Sequence, residues 1–304
     1  DRTVAREKID QAQGSAKTAI TMILADCGAE EARERLARKM ALQEKELAAT
    51  GDRDRDRMYG DLITANLYRM EKGARVLRTE NYYDPDGGQV EIPLDPLKTP
   101  QQNAARYYKN YTKAKTAETM LTLQLEKGAQ EAAYLDSVLD SVSRAEGDRD
   151  LEEIRQELVE TGYLRRRAKA KDRMKRPGAK PLEFRSTAGL RISVGRNNLQ
   201  NDRHTLKDSR NGDLWLHTQK IPGSHVVVVT EGKTPPDRTI EQAAVIAACN
   251  SKARESGKVA VDYTEILNVR KHPAGKPGLV LYEPYQTAVV APDLELAARL
   301  LQGR

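Results

Sequence analysis

One tryptophan and one phenylalanine among 304 residues leave little aromatic material for a large core. Only 38% of the chain is hydrophobic while 32% is charged, which argues against one large globule and for long exposed helices beside a smaller domain. Cysteine is nearly missing. Cys27 and Cys249 fall in different predicted domains, without metal or disulfide spacing, as expected in a reducing cytoplasm. No apolar run approaches membrane-spanning length, and Asp1-Arg-Thr-Val lacks a signal-peptide pattern. With no lipidation signal either, a membrane is not an expected partner. There is also no initiator Met, so the sequence reads as a piece of a longer protein.

The chemistry-bearing motifs are equally sparse. Ser224-His225 with Asp213 suggests a hydrolytic triad, but no G-x-S-x-G elbow exists and adjacent strand residues point to opposite faces. His204, His217, His225 and Cys249 match no zinc spacing, so no metal is expected. Lys276-Pro-Gly278 is too short for a phosphate loop, and no Walker or dinucleotide fingerprint occurs. The expectation is a binding protein with no catalytic residues and no cofactor.

Charge is what the chain has, unevenly spread. Residues 1–164 carry a net −6, residues 165–180 (RRRAKAKDRMKRPGAK) a net +8, and residues 181–304 a net +4. A basic band joined to a mildly basic module reads as a polyanion-contacting half. The band's cations are Arg165, Arg166, Arg167, Lys169, Lys171, Arg173, Lys175 and Arg176. Each phosphate they neutralised would add affinity and salt dependence. The bland alternative is a solvated linker.

Taken in order, residues 1–52 read as one long helix with a narrow apolar seam through Leu36, Met40, Gln43 and Leu47. Residues 53–100 change character: a helix from Arg53 to Glu71 precedes strands over Val76–Tyr83 and Gln89–Ile92, joined by the turn Asp84-Pro-Asp-Gly-Gly88. Residues 101–147 carry the clearest periodicity, with Tyr107, Tyr111, Ala114, Glu118, Leu121, Leu125 and onward to Val142 alternating steps of four and three. That spacing predicts a coiled-coil seam. Two long helices around a compact insert imply an antiparallel hairpin with residues 53–100 as a knob at its tip. Exposed tyrosines there would suit partner docking, and Arg69, Arg75, Arg78, Tyr82 and Tyr83 are the candidates. Alternatively the tyrosines form the knob's own core.

Residues 148–182 read as a short helix followed by the basic linker. Residues 183–304 alternate short strands with one convincing helix, Thr239–Glu255, opened by the capping box Thr239-Ile-Glu-Gln242 and faced with alanine. The unbroken Val226–Val229 run predicts a strand covered on both faces. The fold class expected is α+β: a long antiparallel two-helix coiled coil with a small α/β tip domain, then a mostly antiparallel α+β domain. Within the last, Gly195-Arg-Asn-Asn-Leu-Gln-Asn-Asp202 gathers donors. Asn197, Asn198, Gln200 and Asn201 could read base edges or 2′-hydroxyls, with Arg196 on phosphate. Alternatively Asn197 and Asn201 cap a helix and Asp202 pairs with Arg191. Trp215 and His217 share a strand face, either stacking a base or anchoring the core. Arg191, His217, Lys220 and His225 complete the RNA-facing candidates.

Gly195–Asp202, Asp213-Leu-Trp-Leu-His-Thr218 and Ile221-Pro-Gly-Ser-His-Val-Val227 resemble the C-terminal RNA-binding module, NFACT-R, of the RqcH/NEMF ribosome-quality-control family. The resemblance continues through Val261-Asp-Tyr-Thr264, Asn268-Val-Arg-Lys271 and Lys276-Pro-Gly278. Tyr59-Gly-Asp-Leu-Ile-Thr-Ala-Asn-Leu-Tyr68, Asn81-Tyr-Tyr-Asp84 and Ile92–Lys98 resemble the family's coiled-coil middle region. The resemblance implies binding to large (50S) ribosomal subunits obstructed by peptidyl-tRNA, with the tip on rRNA or a ribosomal protein at the stalk base. It further implies recruitment of charged tRNA and template-free alanine tailing of the stalled chain, the ribosome supplying the chemistry. The family's N-terminal module and helix-hairpin-helix segment are expected to be absent, so this chain should bind ribosome or RNA without supporting tailing. An older family name, fibronectin-binding protein A-like, adds fibronectin as an alternative partner for a surface adhesin.

Overall fold

In the computed structural model, residues 29–164 and 179–301 are described, and they divide into two compact units. Residues 36–129 form one unit, and residues up to 35 with 130 onward form the other. The eight cations from Arg165 to Arg176 and the first 28 residues of the helix expected over 1–52 lie outside the described residues.

The unit of residues 36–129 is built on α1 (Ala29–Ala49), α2 (Arg53–Ala65), the hairpin β1 (Val76–Glu80) and β2 (Gln89–Pro93), and the first part of α3 (Pro100–Arg144). α1 meets α3 through a thin seam. Leu36, Met40 and Leu47 are only half-buried, and Gln43 Nε2 donates to Gln124 Oε1 at 2.5 Å. Met40 packs where Gly128 has no side chain: a Cβ there would lie 3.0 Å from the Met40 Sδ. The compact core sits elsewhere, where Leu62, Ile63, Leu77, Ile92, Leu94, Ala104 and Tyr107 bury against one another. α2 stops at Ala65 rather than Glu71 because Asn66 is buried, its amide donating to Leu62 O (2.7 Å) and Thr79 Oγ1 (3.2 Å). Leu67–Arg69 then forms a single 3-10 turn. β1 likewise ends at Glu80 instead of Tyr83, as Asn81 N–H donates to Gly88 O (2.8 Å) and Gly87 adopts φ +67° to close the turn.

The other unit centres on a six-stranded antiparallel sheet. Its strands are β3 (Leu182–Arg185), β4 (Arg191–Val194), β5 (Leu214–Thr218), β6 (Val226–Val229), β7 (Val259–Glu265) and β10 (Gln286–Val290), in spatial order β10-β7-β5-β6-β4-β3. α6 (Asp237–Cys249) covers one face. Its fully buried Ala243, Ala244, Ala247 and Ala248 let the helix approach Ile192, Val194, Leu216, Val226 and Val228 closely. α7 (Leu294–Leu300) adds Ala297 and Leu300 to that core, and Leu301 bridges Phe184 on β3. On the other face Trp215 and Val227 pack against Ile266 and Val269, under the small hairpin of β8 (Val269–Lys271) and β9 (Val280–Tyr282).

Two sequence expectations fail here for identifiable reasons. α6 starts at Asp237, with Pro236 rather than Thr239 at its cap position and no side-chain cap. Thr239 is instead buried inside the first turn, and Gln242 turns away to accept from Thr187 N–H at 3.0 Å. Asp202 does not pair with Arg191. It takes Lys271 and the Gly278 N–H (2.9 Å), while Arg191 faces Glu183 at 3.8 Å.

Candidate nucleic-acid interface

The donor-rich stretch after β4 forms α5 (Asn198–Arg203), continued by a π-helical turn to Asp208. Asn197 caps it, Oδ1 accepting from Gln200 N–H at 2.9 Å. The remaining polar groups turn inward onto α4 (Asp148–Glu160) and the end of α3. Asn197 Nδ2 donates to Glu153 Oε2 (2.6 Å), and Gln200 Nε2 donates to the same oxygen (2.7 Å). Asn198 Nδ2 donates to Ser137 Oγ (2.9 Å) and Glu157 Oε1 (3.0 Å). Asn201 Oδ1 accepts from His225 N–H (3.1 Å). Arg196 spans Asp150 (3.1 Å) and Glu146 (3.6 Å).

The base-reading role expected for Asn197, Asn198, Gln200 and Asn201 is therefore corrected. Asn197, Asn198 and Asn201 are at most 2% exposed, and their partners are internal carboxylates and backbone. His225 is corrected likewise. It is buried, its Nδ1 lies 2.7 Å from Thr205 Oγ1, and burial holds its imidazole well below the usual range, hence neutral. Arg196 is committed to carboxylates rather than phosphate. Trp215 is fully buried, with His217 stacked on it at 5.8 Å; burial pulls His217 down to about 4. Of the candidates in this unit, Arg191 and Lys220 keep open cationic side chains, with Lys220 at φ +55° on the β5–β6 turn.

That turn leads to Ser251, Lys252 and Arg254, which the sequence did not single out. Gly223 bridges Ser251, Lys252 N–H donates to Pro222 O (2.9 Å), and Ser224 N–H donates to Asn250 O (3.0 Å). A Cβ on Gly223 would lie 2.8 Å from the Ser251 Cβ, so the two loops touch backbone to backbone. The turn carrying Lys220 thus meets the loop carrying Lys252 and Arg254 at one end of the sheet. Burial raises the Asp140 carboxyl above its ordinary range, against the downward pull of Arg144 and, more weakly, of Arg254 and Lys252, which lie near it. Arg144 sits between, bonded to Asp140 (2.8 Å) and donating to Ser224 Oγ (2.8 Å). No local pattern announces this patch, because its halves lie about thirty residues apart and meet only through the sheet. Among the described residues no group of His, Cys, Asp and Glu is arranged to hold a metal ion.

In the unit of residues 36–129 the tip tyrosines are outward. Tyr68 is 86% exposed, Tyr82 58% and Tyr83 53%, so the core is made by Tyr59 and Tyr107 instead. The Tyr82 and Tyr83 rings lie 4.8 Å apart, tilted by 32°, and Tyr83 Oη donates to Asp61 (2.6 Å), which fixes the ring. Arg69 donates to Asn66 Oδ1 (2.6 Å), Arg78 pairs with Glu91 (2.7 Å), and Arg75 is exposed.

Residues 9–177 match the family model for the NFACT N-terminal and middle domains, and residues 180–283 match the model for the NFACT protein RNA-binding domain. The chain belongs to the NFACT family. This match overturns the expected absence of an N-terminal NFACT part, since the model covering 9–177 is the one for that part and the middle region together. The chain is 40% identical over 269 residues to the Rqc2 homolog RqcH of Bacillus subtilis (strain 168), covering 88% of this chain and 47% of that protein. It is 41% identical over 260 residues to the Rqc2 homolog RqcH of Streptococcus suis (strain 05ZYH33), covering 85% and 46%. It thus spans about half the length of the curated relatives it matches. Among solved structures, the C-terminal part of the fibronectin/fibrinogen-binding protein from Streptococcus suis superposes with a TM-score of 0.69 at 32% identity, covering 95% of this chain and 99% of that one. In NFACT terms, α6 and every strand of the sheet except β10 lie in the RNA-binding domain match, while α3 and α4 lie in the preceding one.

The NFACT junction carries a buried acid. Glu157 is 1% exposed and accepts from Tyr134 Oη (2.8 Å) and Asn198, while its Oε2 has no partner among the described residues. Burial pushes its carboxyl from an ordinary 4.5 up to about 7, against the downward pull of those two donors. A raised carboxyl favours the protonated folded state, so its stabilising effect is fully present below pH 4.5 and is lost as pH rises to 7. Glu157→Gln keeps an acceptor for Asn198 without the charge. It should melt like the wild type at pH 4 and higher than it at pH 8, by on the order of 3 kcal/mol at most. Thermal unfolding of both proteins across that range checks this, and a difference independent of pH would show that folding leaves the Glu157 carboxyl unshifted.

Proposed function

We propose that the chain is the RNA- and ribosome-contacting part of an NFACT-family ribosome-quality-control factor. The observation that carries this reading is the backbone contact between the turn bearing Lys220 and the loop bearing Lys252 and Arg254, in the region matched by the NFACT RNA-binding domain and downstream of the basic band. Phosphate contacts from such a surface supply affinity without sequence preference. In this reading the protein works in the cytoplasm on large (50S) subunits that retain peptidyl-tRNA, and recruits charged tRNA(Ala) for template-free alanine tailing. The ribosome performs the chemistry, so the chain itself is not an enzyme and needs no cofactor. The paired Tyr82 and Tyr83 rings provide an amphipathic contact for a ribosomal protein or rRNA.

Co-sedimentation with purified 50S subunits tests the reading. Deleting residues 74–98 would remove Leu77, Ile92 and Leu94 from the core, so Tyr82→Ala with Tyr83→Ala is the cleaner variant. Subunit affinity should fall roughly tenfold or more in the double variant, the scale of interface hot spots. Retained affinity would remove the tip from the footprint.

A second reading follows from the superposition on the fibronectin/fibrinogen-binding protein: an adhesin that binds fibronectin. Capture from lysate separates the two. Ribonuclease should release the partners of a ribosome-binding protein and leave fibronectin binding intact.

A further inference from the structure

The end of the sheet opposite the cationic patch holds a cleft of about 700 Å³, within the size range of ligand sites. The register places it there: Leu214 at the start of β5 faces Glu265 at the end of β7, whereas Thr218, next to the Lys220 turn, faces Val261. The two ends are roughly 15 Å apart at about 3.3 Å per residue. The cleft opens between the first turn of α6 and the β5–β7–β10 end of the sheet, with Leu214, Ile240 and Tyr263 as its apolar lining.

We propose that this cleft binds one unpaired ribonucleotide, splayed out of a single-stranded RNA segment. The inference rests on the RNA-binding reading and names a site for it. Tyr285, which lines the cleft, is 45% exposed. Tyr282 meets it at 5.3 Å and 69°, an edge-to-face contact that sets its plane and leaves ring surface for a base. The backbone carrying Tyr285 is tied down by a relay in which Asn268 Nδ2 donates to Thr264 Oγ1 (2.9 Å), and Thr264 donates to Pro284 O (2.6 Å). Asn268 therefore presents its amide oxygen, and Gln286 its whole amide, with no partner among the described residues. That pair supplies the donor and acceptors a base edge requires.

Lys233 and Glu265 stand at the rim, each exposed and without an ion-pair partner among the described residues. A single ammonium suits one phosphate. A carboxylate accepts from a ribose hydroxyl, and with Asp237 it would repel a polyphosphate or a continuous phosphate track. One base, one ribose and one phosphate is the ligand that uses every group present. The backbone track belongs to the cationic end of the sheet.

The test titrates the full chain with AMP, GMP, CMP and UMP and their 2′-deoxy counterparts, read by calorimetry. Tyr285→Ala, Lys233→Ala and the triple variant Lys220→Ala, Lys252→Ala, Arg254→Ala are compared at matched melting temperature. At least one ribonucleotide should saturate the site, more tightly than its deoxy form. Tyr285→Ala should weaken it roughly tenfold, as loss of a stacked base does, and Lys233→Ala severalfold, with the triple variant unchanged. No saturation by any nucleotide, or saturation indifferent to both Tyr285→Ala and Lys233→Ala, overturns the proposal. Binding of a long single-stranded RNA is measured in parallel. If the chain binds that RNA but no nucleotide, the cleft assignment alone fails; if it binds no RNA, the reading beneath it fails.

Discussion

Replacing Arg165, Arg166, Arg167, Lys169, Lys171, Arg173, Lys175 and Arg176 together by alanine should weaken ribosome binding steeply near 50 mM salt and remove most of the roughly thousandfold loss of affinity that eight phosphate contacts would give between 50 and 200 mM. The estimate follows from counterion release. Each phosphate neutralised contributes about 0.7 to 0.9 to the slope of log affinity against log salt, so eight contacts account for a slope of about 6 or 7. The variant should therefore lose most of its salt dependence as well as its affinity. The two losses must appear together, because a misfolded variant would lower affinity without flattening the slope in this way. Filter binding or co-sedimentation at four salt concentrations checks both, with the triple variant at Lys220, Lys252 and Arg254 expected to remove a smaller share of the slope. Equal affinity of wild type and the eight-fold variant at low and high salt would assign the band to a linker.

Charge is a property of composition and shows in a sequence without any partner, which is why the band stands out there while its contacts are left to that experiment. The same holds for elements whose signal is local. Val226–Val229 reads as a strand covered on both faces and lies inside the sheet between β5 and β4. The alanine face of α6 and the Asp84–Gly88 turn also follow from residue type alone. What the sequence misassigned are groups whose partners lie far away. Asn197 and Asn198 look like surface amides because the carboxylates that bury them, Glu153 and Glu157, lie more than forty residues upstream. Asp202 chose Lys271, 69 residues on, over the nearer Arg191. The patch of Lys220, Lys252 and Arg254 exists only once Gly223 meets Ser251. The nucleotide cleft is assembled from four separate stretches, within residues 212–214, 230–240, 263–268 and 284–286, so neither its volume nor its unpaired amides leave a linear trace.

Those distant partners predict that the NFACT RNA-binding domain does not fold within its family-match boundaries. Residues 180–283 exclude β10, which pairs with β7 along five residues, and α7, whose Ala297 and Leu300 complete the core. A chain of residues 180–304 restores both but still lacks the end of α3 and all of α4. It would leave Asn197, Asn198 and Gln200 without Glu153, Glu157 and Ser137, and Ser224 without Arg144. Lys276 would lose both rings it sits over, Tyr134 at 5.2 Å and Tyr163 at 4.8 Å. Its loop is held tightly: a Cβ on Gly278, at φ +74°, would lie 2.5 Å from Asn198 Oδ1. At about 1 kcal/mol for each hydrogen bond and 0.5–2 for each cation–π contact, the lost set approaches the whole 5–15 kcal/mol that holds a domain folded. Residues 130–304 should thus melt in one cooperative transition, while residues 180–304 should show none and should bind a dye for exposed apolar surface. Circular dichroism and calorimetry on the two chains decide it. A sharp transition for residues 180–304 at the temperature of the longer chain would show that the contacts to α3 and α4 decorate a domain that is already stable.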